Sequence, residues 1–262
     1  MAYFRIEYYS NALHRSTSFE MLIPNDYRLD LPVQEAPPIP DKPMGTLFLL
    51  HGYTGKAGNW VPEELAAQYN FAIVMPTAEN SFYLNGLSTG HAFQTLVGEE
   101  LVDYVRRTFG LAKNRENTCI AGMSMGGFGA LHTALAYPDT FGKLAGLSSA
   151  LIVHGIARMK PEDDNGMANG EYYRACFGDL ETVEQRDVNP EVLVKKLKAE
   201  GKKLPEIFLA CGTEDFLLEN NRQMHKFLTA EQIPHQYYES KGGHDMVFWN
   251  EYIIKAVKWM FG

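Results

Sequence analysis

The chain has few cysteines, no excess of basic residues and no long apolar run, and each shortage argues against a class of protein. Three cysteines occur in 262 residues, without the close spacing of a zinc site or a redox pair. No stretch approaches the roughly 20 apolar residues that span a membrane. Lys and Arg number 24 against 32 Asp and Glu, so the formal net charge is −8. Because nucleic acids and anionic membranes attract clustered basic residues, we expect neither as a partner.

The amino terminus and the overall composition narrow the class further. Residues 1–10 carry charges among aromatics and lack the apolar core and cleavage site of a signal peptide, so we expect a cytoplasmic protein. With 45% hydrophobic residues the chain can bury a large core, and α/β domains of this length commonly fold as one unit. We therefore expect a single domain over residues 1–262 with a small-molecule partner. Homo-oligomerisation is left open.

Short β-rich runs alternate with helical patterns along the chain. The predicted strands are 3–9, 18–23, 46–50, 71–75, 118–121, 144–147, 207–210 and 236–239. The predicted helices, with apolar residues at three-to-four spacing, are 99–109, 125–137, 191–200, 220–230 and 248–260. This alternation predicts an α/β fold, a mostly parallel eight-stranded sheet with helices on both faces. The first two strands have no helix between them and should form an antiparallel hairpin at one edge.

Two segments do not fit the simple alternation. Four prolines fall within residues 34–43, which predicts a surface connection into the third strand. Residues 148–205 form a long insertion after the sixth strand, with a loop at 162–170 and a short helix at 171–177. We interpret this insertion as a lid or a pocket wall.

The sequence Gly-Met-Ser-Met-Gly at 122–126 has the form G-x-S-x-G, between a predicted strand and a predicted helix. In that context the serine lies on a sharp turn, where flanking glycines avoid a clash and the hydroxyl is held above the sheet. The helix that follows adds its N-terminal dipole beside the reacting centre. Ser124 is therefore the candidate nucleophile.

A nucleophilic serine needs a base, and the base needs an acid that fixes its tautomer. Asp215 follows the strand at 207–210 and His244 follows the strand at 236–239, in the chain order of the α/β-hydrolases. Glu214 and Asp245 are adjacent to these two residues and remain alternative acids. The other histidines considered as bases are placed less favourably, within helices or before the last strand: His132, His225 and His235.

The oxyanion of a tetrahedral intermediate needs fixed donors, usually two backbone N–H groups. Met125, the residue after the nucleophile, is expected to supply one of them. The second is expected from the glycine-containing loop after the third strand, where Tyr53 is the preferred donor and Thr54 the alternate. His51, just before that glycine, is expected to brace the loop and to take no chemical role.

Several motifs together resemble the tributyrin esterase branch of the esterase D-like α/β-hydrolases, which includes S-formylglutathione hydrolases and feruloyl or acetylxylan esterases. They are HGYTGKAGNW at 51–60, MPTAENSFY at 75–83, EEL at 99–101, GMSMGGFGA at 122–130, CGTEDFLLENNR at 211–222 and GGHDMVFWN at 242–250. The resemblance implies an α/β-hydrolase fold, the triad Ser124, Asp215 and His244, short acyl chains, and no metal or organic cofactor. Met123 and Met246 depart from the residues usual in such motifs, which leaves the substrate open.

These observations favour a serine carboxylesterase for short-chain acyl esters, from acetyl to butyryl, including acetyl or feruloyl groups on carbohydrates. A thioesterase of the S-formylglutathione hydrolase type would need the same triad and is the alternative. A non-catalytic binding protein would be expected to have lost a triad residue. The aromatic and branched residues near the expected site predict a closed pocket, and we assign its lining to Trp60, Tyr83, Met123 and Met246, with Tyr53 and Phe82 close by.

Overall fold

Eight strands form one sheet in the computed structural model, which describes residues 1–24 and 42–262. The strands lie in the order β1-β2-β4-β3-β5-β6-β7-β8. The pairs β1/β2 and β2/β4 are antiparallel, and all other neighbours are parallel. The strands are β1 Ala2–Ser10, β2 Arg15–Ile23, β3 Gly45–Leu50, β4 Phe71–Pro76, β5 Thr118–Met123, β6 Lys143–Leu147, β7 Glu206–Gly212 and β8 His235–Ser240.

The central strands are apolar along their whole length because both faces of the sheet are covered. Every residue of β3, β4 and β5 is buried. Alternate residues enter two separate cores, so that Phe48 packs on one side of the sheet while Leu47 and Leu49 pack on the other. This is the pattern expected for strands of a parallel sheet between two helical layers.

The two helical layers are unequal in size. Helices α1 and α9 contribute to the core on one face, and α3, α4, α7 and α8 contribute to the core on the other. The helices are α1 Glu63–Tyr69, α2 Phe93–Thr95, α3 Leu101–Phe109, α4 Met125–Ala136, α5 Val153–Ile156, α6 Gly170–Phe177, α7 Pro190–Ala199, α8 Leu218–Ala230 and α9 Met246–Phe261, with a π-helical turn at Leu96–Glu100. Helices α5, α6 and α7 lie in the insertion between β6 and β7.

The predicted fold class is confirmed, including the antiparallel hairpin at the sheet edge. The five helices of the alternation and the short helix at 171–177 are all present with boundary shifts of a few residues, whereas α1, α2 and α5 were not predicted. These three have at most seven residues and bury only one or two side chains each, so they carry almost no periodic signal. Of the surface connection predicted at 34–43, residues 34–41 lie outside the described residues. No helix in the described ranges is long and apolar enough to cross a membrane.

A buried histidine in α4 makes the fold sensitive to acid. His132 is 2% exposed, its ring stacks on Phe128, and its Nε2 donates to the carbonyl of Asp187 at 2.9 Å. Its Nδ1 is buried and has no hydrogen-bond partner among the described residues. Burial lowers the pKa of His132 from 6.5 to about 4, although the hydrogen bond to Asp187 and the charge of that residue oppose the shift.

We expect the free energy of unfolding to fall as the pH drops from about 6.5 to about 4. In that window the unfolded chain binds a proton at residue 132 and the folded chain does not, so acid favours unfolding. A shift of this size corresponds to roughly 3 kcal/mol. Urea unfolding between pH 4.5 and pH 7.5 measures this loss of unfolding free energy. In His132→Gln, whose side chain cannot titrate, the free energy of unfolding should fall less steeply with decreasing pH. The exposed control His14→Asn should keep the wild-type slope. An unchanged slope in His132→Gln would disprove this assignment.

Candidate active site

Ser124 lies at a sharp turn between β5 and α4, with φ 54° and ψ −119°. Such a backbone conformation is rare for a residue with a side chain and is maintained by the close packing around it. A Cβ on Gly122 would lie 2.2 Å from the carbonyl oxygen of Gly126, and a Cβ on Gly126 would lie 2.4 Å from that of Leu50. Both positions of the motif therefore exclude any side chain, as the sequence context predicts.

Three polar side chains meet at the carboxyl end of the sheet in a hydrogen-bonded series. The Oγ of Ser124 lies 3.0 Å from Nε2 of His244, and Nδ1 of His244 lies 2.9 Å from Oδ2 of Asp215. The carboxylate is fully buried, whereas 20% of the His244 side chain is exposed. The loops after β7 and β8 touch, because a Cβ on Gly212 would lie 2.2 Å from the carbonyl oxygen of Gly242. The structure thus brings all three predicted residues together.

The two alternative acids lie elsewhere. Glu214 is exposed, and its backbone N–H donates to the carbonyl of Gly242. Asp245 is the N-cap of α9 and accepts hydrogen bonds from the N–H groups of Val247 and Phe248 at 2.9 and 3.1 Å. Neither carboxylate replaces Asp215 beside His244.

Asp215 remains anionic because hydrogen bonds outweigh its burial. Burial alone would raise the pKa of this carboxyl, but hydrogen bonds from His244, the N–H of Leu217 and the hydroxyl of Ser148 bring the pKa below its usual value. Ser148 is itself fully buried and accepts a hydrogen bond from Nε1 of Trp249 at 3.0 Å. The Trp249 ring also meets the His244 ring edge to face, at 4.9 Å between centroids. Trp249 therefore supports both the histidine and, through Ser148, its acid.

The remaining histidines considered as bases have other partners. His132 is bonded to Asp187 as described above. His225 and His235 lie on α8 and β8, and their ring nitrogens are 2.8 Å apart. None of the three is hydrogen-bonded to Ser124.

The loop after β3 places backbone N–H groups beside the serine. A Cβ on Gly52 would lie 3.6 Å from Cβ of Ser124, so the backbone of this loop passes close to the serine side chain. The N–H of Thr54 donates to Oδ1 of Asn80 at 2.7 Å and is therefore occupied. For the N–H of Tyr53 we find no acceptor within residues 1–24 and 42–262. As the first residue of α4, Met125 has no intrahelical acceptor for its N–H.

Two side chains hold this loop in place. Nε2 of His51 accepts a hydrogen bond from the N–H of Ala78, and Nδ1 lies 2.8 Å from the carbonyl oxygen of Gly52. Burial lowers the pKa of His51, so the neutral ring is favoured. The hydroxyl of Tyr83 donates to the carbonyl of His51 at 2.9 Å. Both residues thus act on the loop and are not placed to react with a substrate.

A cavity of about 230 Å³ opens beside Ser124. Helix α4 and the loop after β7 form part of its wall, and the insertion between β6 and β7 forms another part. Its lining residues are Tyr53, Phe82, Ser124, Met125, Ala150, Ile152, Asn165, Met167, Tyr173, Phe216, Leu217 and Asn220. A larger cavity of about 330 Å³ lies behind Asn80 and Tyr172, but neither Ser124 nor His244 lines it.

The pocket lining predicted from the sequence differs from the lining of this cavity. Tyr83 is fully buried under the loop after β3, and Met123 is 9% exposed at the end of β5. Trp60 packs into the core on the α9 face, and Met246 is 41% exposed in the first turn of α9. None of the four lines the cavity beside Ser124, whereas Tyr53 and Phe82 do.

Most of the actual lining had no signal in the local sequence. Phe216 was within reach of sequence reasoning because it directly follows Asp215. Its ring centroid lies 4.5 Å from that of His244, with the two rings tilted by 47°. Ile152, Asn165 and Tyr173 belong to the insertion, and only the packing of that insertion against the sheet brings them to Ser124.

No group of three or more His, Cys, Asp or Glu side chains in the described part of the chain could hold a metal ion.

The whole chain is similar in sequence and in structure to known esterases and serine hydrolases. Residues 10–260 match the family described as "Putative esterase". An acetyl esterase of Caldicellulosiruptor saccharolyticus is 40% identical over 99% of this chain and 98% of its own. The fluorophosphonate-binding serine hydrolase F of Staphylococcus aureus superposes with a TM-score of 0.83 at 28% identity, over 100% of this chain and 98% of the other. An S-formylglutathione hydrolase of the same organism gives 0.81 at 28% identity, over 100% and 99%.

The family match covers nearly the whole chain, and the serine hydrolase F structure superposes over all of it. The resemblance to the esterases is thereby confirmed at the level of the family. The chain belongs to this esterase family and is a serine hydrolase with an α/β-hydrolase fold that acts on ester bonds.

Proposed function

We propose that the chain is a carboxylesterase in which Ser124 is the nucleophile, His244 the general base and Asp215 the residue that orients the histidine. The observation that carries this proposal is the continuous series of contacts from Ser124 Oγ to His244 Nε2 and from His244 Nδ1 to Asp215. A serine hydroxyl needs this arrangement because it is a weak nucleophile at its own pKa.

Each step of hydrolysis then has a residue to perform it. Ser124 Oγ attacks the carbonyl carbon while its proton passes to Nε2 of His244, and the buried carboxylate of Asp215 stabilises the imidazolium. The N–H groups of Tyr53 and Met125 bind the oxyanion. The imidazolium next protonates the leaving alcohol, and the acyl group stays on Ser124. His244 then takes a proton from a water molecule as its oxygen attacks the acyl carbonyl carbon. When the bond to Ser124 Oγ breaks and the acid leaves, His244 returns this proton to Oγ and restores the serine.

We assign the acyl group of the substrate to the cavity of about 230 Å³. A cavity of about 150 Å³ holds a benzene ring, so this one has room for a short aliphatic acyl chain or one aromatic ring. The 40% identical acetyl esterase supports the short-chain alternative. Acetyl to butyryl esters, including acetyl groups on carbohydrates, are therefore the proposed substrates, and feruloyl groups on carbohydrates are the aromatic alternative for the same cavity. The insertion at 148–205 acts as a pocket wall in this proposal.

We expect kcat/KM to rise from acetyl towards propionyl or butyryl esters and to fall beyond about six carbons. Each methylene that fits adds about 0.8 kcal/mol of burial, close to a fourfold gain, whereas one that meets the wall costs about 1–3 kcal/mol. A p-nitrophenyl ester series from about two to twelve carbons, kept below the aggregation of the long esters, measures this profile. A maximum at eight carbons or more would contradict a closed pocket.

A lining variant makes this test specific to the cavity. Ile152→Ala removes methylene groups from the wall and should move the maximum to longer chains. Ile254→Ala is the matched control, because Ile254 is also partly buried but packs on the α9 face of the sheet. A maximum that moves equally in both variants would show that the cavity does not select the acyl chain.

Thioester hydrolysis is the second candidate. It is favoured by the S-formylglutathione hydrolase that superposes with a TM-score of 0.81. A thioester would use the same three residues and the same oxyanion donors. Steady-state kcat/KM for S-formylglutathione, measured beside that for the preferred p-nitrophenyl ester, separates the two functions. A preference for the thioester by more than about tenfold would replace the carboxylesterase proposal.

We further propose that the chain belongs to the tributyrin esterase branch of its family and acts in the cytoplasm. The motifs around His51, Ser124 and His244 support the branch. The cytoplasmic proposal is consistent with the cysteines, since all three in the described structure are buried and free of disulfides. Cell fractionation with an antibody against the chain tests the location. Hydrolysis of tributyrin tests the branch.

A further inference from the structure

The strand β1 forms one edge of the sheet. It has nine residues and pairs on one side with β2, from Ala2 opposite Ile23 to Ser10 opposite Arg15. No strand of the described residues pairs with its other side. A long edge strand presents unpaired N–H and C=O groups, which makes it a template for pairing with another chain.

The side chains of β1 alternate strictly between the two faces. Tyr3, Arg5, Glu7 and Tyr9 are all exposed on one face, and the two tyrosines are 57% and 60% exposed. On the other face, Phe4, Ile6 and Tyr8 are only half-buried, although they point towards α3. Phe4 meets Phe109 and Tyr8 meets Tyr104 of that helix, so the aromatic layer between the sheet and α3 extends to the edge strand.

This sequence is complementary to itself in one antiparallel register. With Ile6 opposite Ile6 of a second copy, each Arg5 lies opposite a Glu7, and each Tyr3 lies opposite a Tyr9. On the other face, each Phe4 lies opposite a Tyr8. Opposite charges and aromatic pairs at directly facing positions are the pairs that stabilise antiparallel strands.

Neighbouring registers lack this complementarity. Moving the two-fold axis to residue 5 places Arg5 opposite Arg5, and moving it to residue 7 places Glu7 opposite Glu7. Like charges at directly facing positions are destabilising. The charges of Arg5 and Glu7 therefore oppose pairing of β1 in these neighbouring registers. They favour antiparallel pairing with an identical strand in the register centred on Ile6.

The opposite edge of the sheet has no comparable pattern. Strand β8 is three residues shorter than β1, and five of its six polar side chains are bonded within the chain. Glu239 accepts hydrogen bonds from Nε and Nη2 of Arg222 and from the hydroxyl of Tyr237, and His235 is bonded to His225. Within residues 1–24 and 42–262, Arg5 and Glu7 of β1 form no ion pair, although Arg5 lies opposite Glu20 of β2.

We propose that two copies of this chain form a two-fold dimer through antiparallel pairing of their β1 strands, which continues the sheet from one copy into the other. Pairing over residues 3–9 adds roughly six to eight backbone hydrogen bonds. It also brings the two α3 helices side by side over the half-buried aromatic layer. The active sites lie at the carboxyl ends of β5, β7 and β8, away from β1, so each copy keeps a complete site.

The dimer is tested by charge reversal on the exposed face. Sedimentation velocity over a range of protein concentrations should give a dimer for the wild-type chain. Glu7→Arg places two arginines opposite each other in each half of the interface and should raise the dimer dissociation constant about 100-fold. The double variant Arg5→Glu with Glu7→Arg restores opposite charges in the same register and should recover most of the affinity.

Two controls separate dimer loss from misfolding and from non-specific charge effects. Glu116→Arg makes the same reversal at an exposed position away from β1 and should remain dimeric. The kcat/KM of Glu7→Arg should equal that of the wild type, because the site is complete in each copy. A monomeric wild-type chain at all concentrations overturns the proposal. A dimer that survives Glu7→Arg, or that the double variant fails to restore, overturns the β1 register.

Discussion

Replacing Ser124 by alanine is expected to abolish ester hydrolysis while leaving the fold intact. Alanine keeps the Cβ of serine, so the turn at φ 54° has the same strain in both proteins. Loss of a catalytic serine in this kind of triad lowers kcat by about six orders of magnitude, and the oxyanion donors account for the turnover that remains. Steady-state kinetics measures kcat, and thermal unfolding should give an unchanged Tm.

Covalent labelling identifies the nucleophile directly. A fluorophosphonate should add one adduct to the wild-type chain, and peptide mass spectrometry should place it on Ser124. Ser88→Ala is a suitable control, since Ser88 is exposed and lines the larger cavity behind Asn80. This variant should label and turn over normally. An adduct on another serine, together with wild-type turnover in Ser124→Ala, would refute the assignment.

Asp215→Asn is expected to lower kcat by about four orders of magnitude with little change in KM. The asparagine oxygen can still accept the hydrogen bond that the N–H of Leu217 donates to Oδ1 at 2.8 Å, so the loop should keep its shape. The amide NH₂, however, donates towards Nδ1 of His244 and favours the tautomer with the proton on Nε2. That tautomer cannot accept the proton of Ser124.

Asp245→Asn provides the matched control for the acid. Asp245 is the N-cap of α9, and asparagine caps helices about as well as aspartate does. Both activity and Tm should therefore stay close to those of the wild type. If Asp245→Asn lost more activity than Asp215→Asn, the orienting acid would have to be reassigned.

Sequence reasoning succeeded wherever a feature depends on a short stretch of chain. Gly122 and Gly126 indicate the tight turn at Ser124 by their spacing. The clash that Gly122 avoids is with Gly126 in the turn itself, whereas Gly126 avoids the carbonyl of Leu50 in the neighbouring strand. Asp215 and His244 were identifiable because each directly follows a strand of the parallel sheet. Strand ends of such a sheet meet at one edge, so the order of the strands already brings these residues together.

The local sequence could not distinguish between two adjacent candidate donors in the loop after β3. Tyr53 and Thr54 are adjacent and were both open as donors. Asn80, from the loop after β4, accepts a hydrogen bond from the N–H of Thr54, whereas the described residues offer no acceptor to the N–H of Tyr53, our proposed donor. The distinction depends on a contact between residues 26 positions apart, which no motif encodes.

What the sequence alone determined is the class of fold, the nucleophile turn and the order of the three polar residues, since these follow from hydrophobic periodicity and from backbone sterics within a few residues. Only the tertiary structure decided what lines the pocket. Tyr83 was expected there, but its hydroxyl instead braces the carbonyl of His51, and Ile152 and Asn165 of the insertion lie at the cavity. The physical reason is that a pocket wall forms where distant segments pack together, and that packing depends on the shape of the whole core.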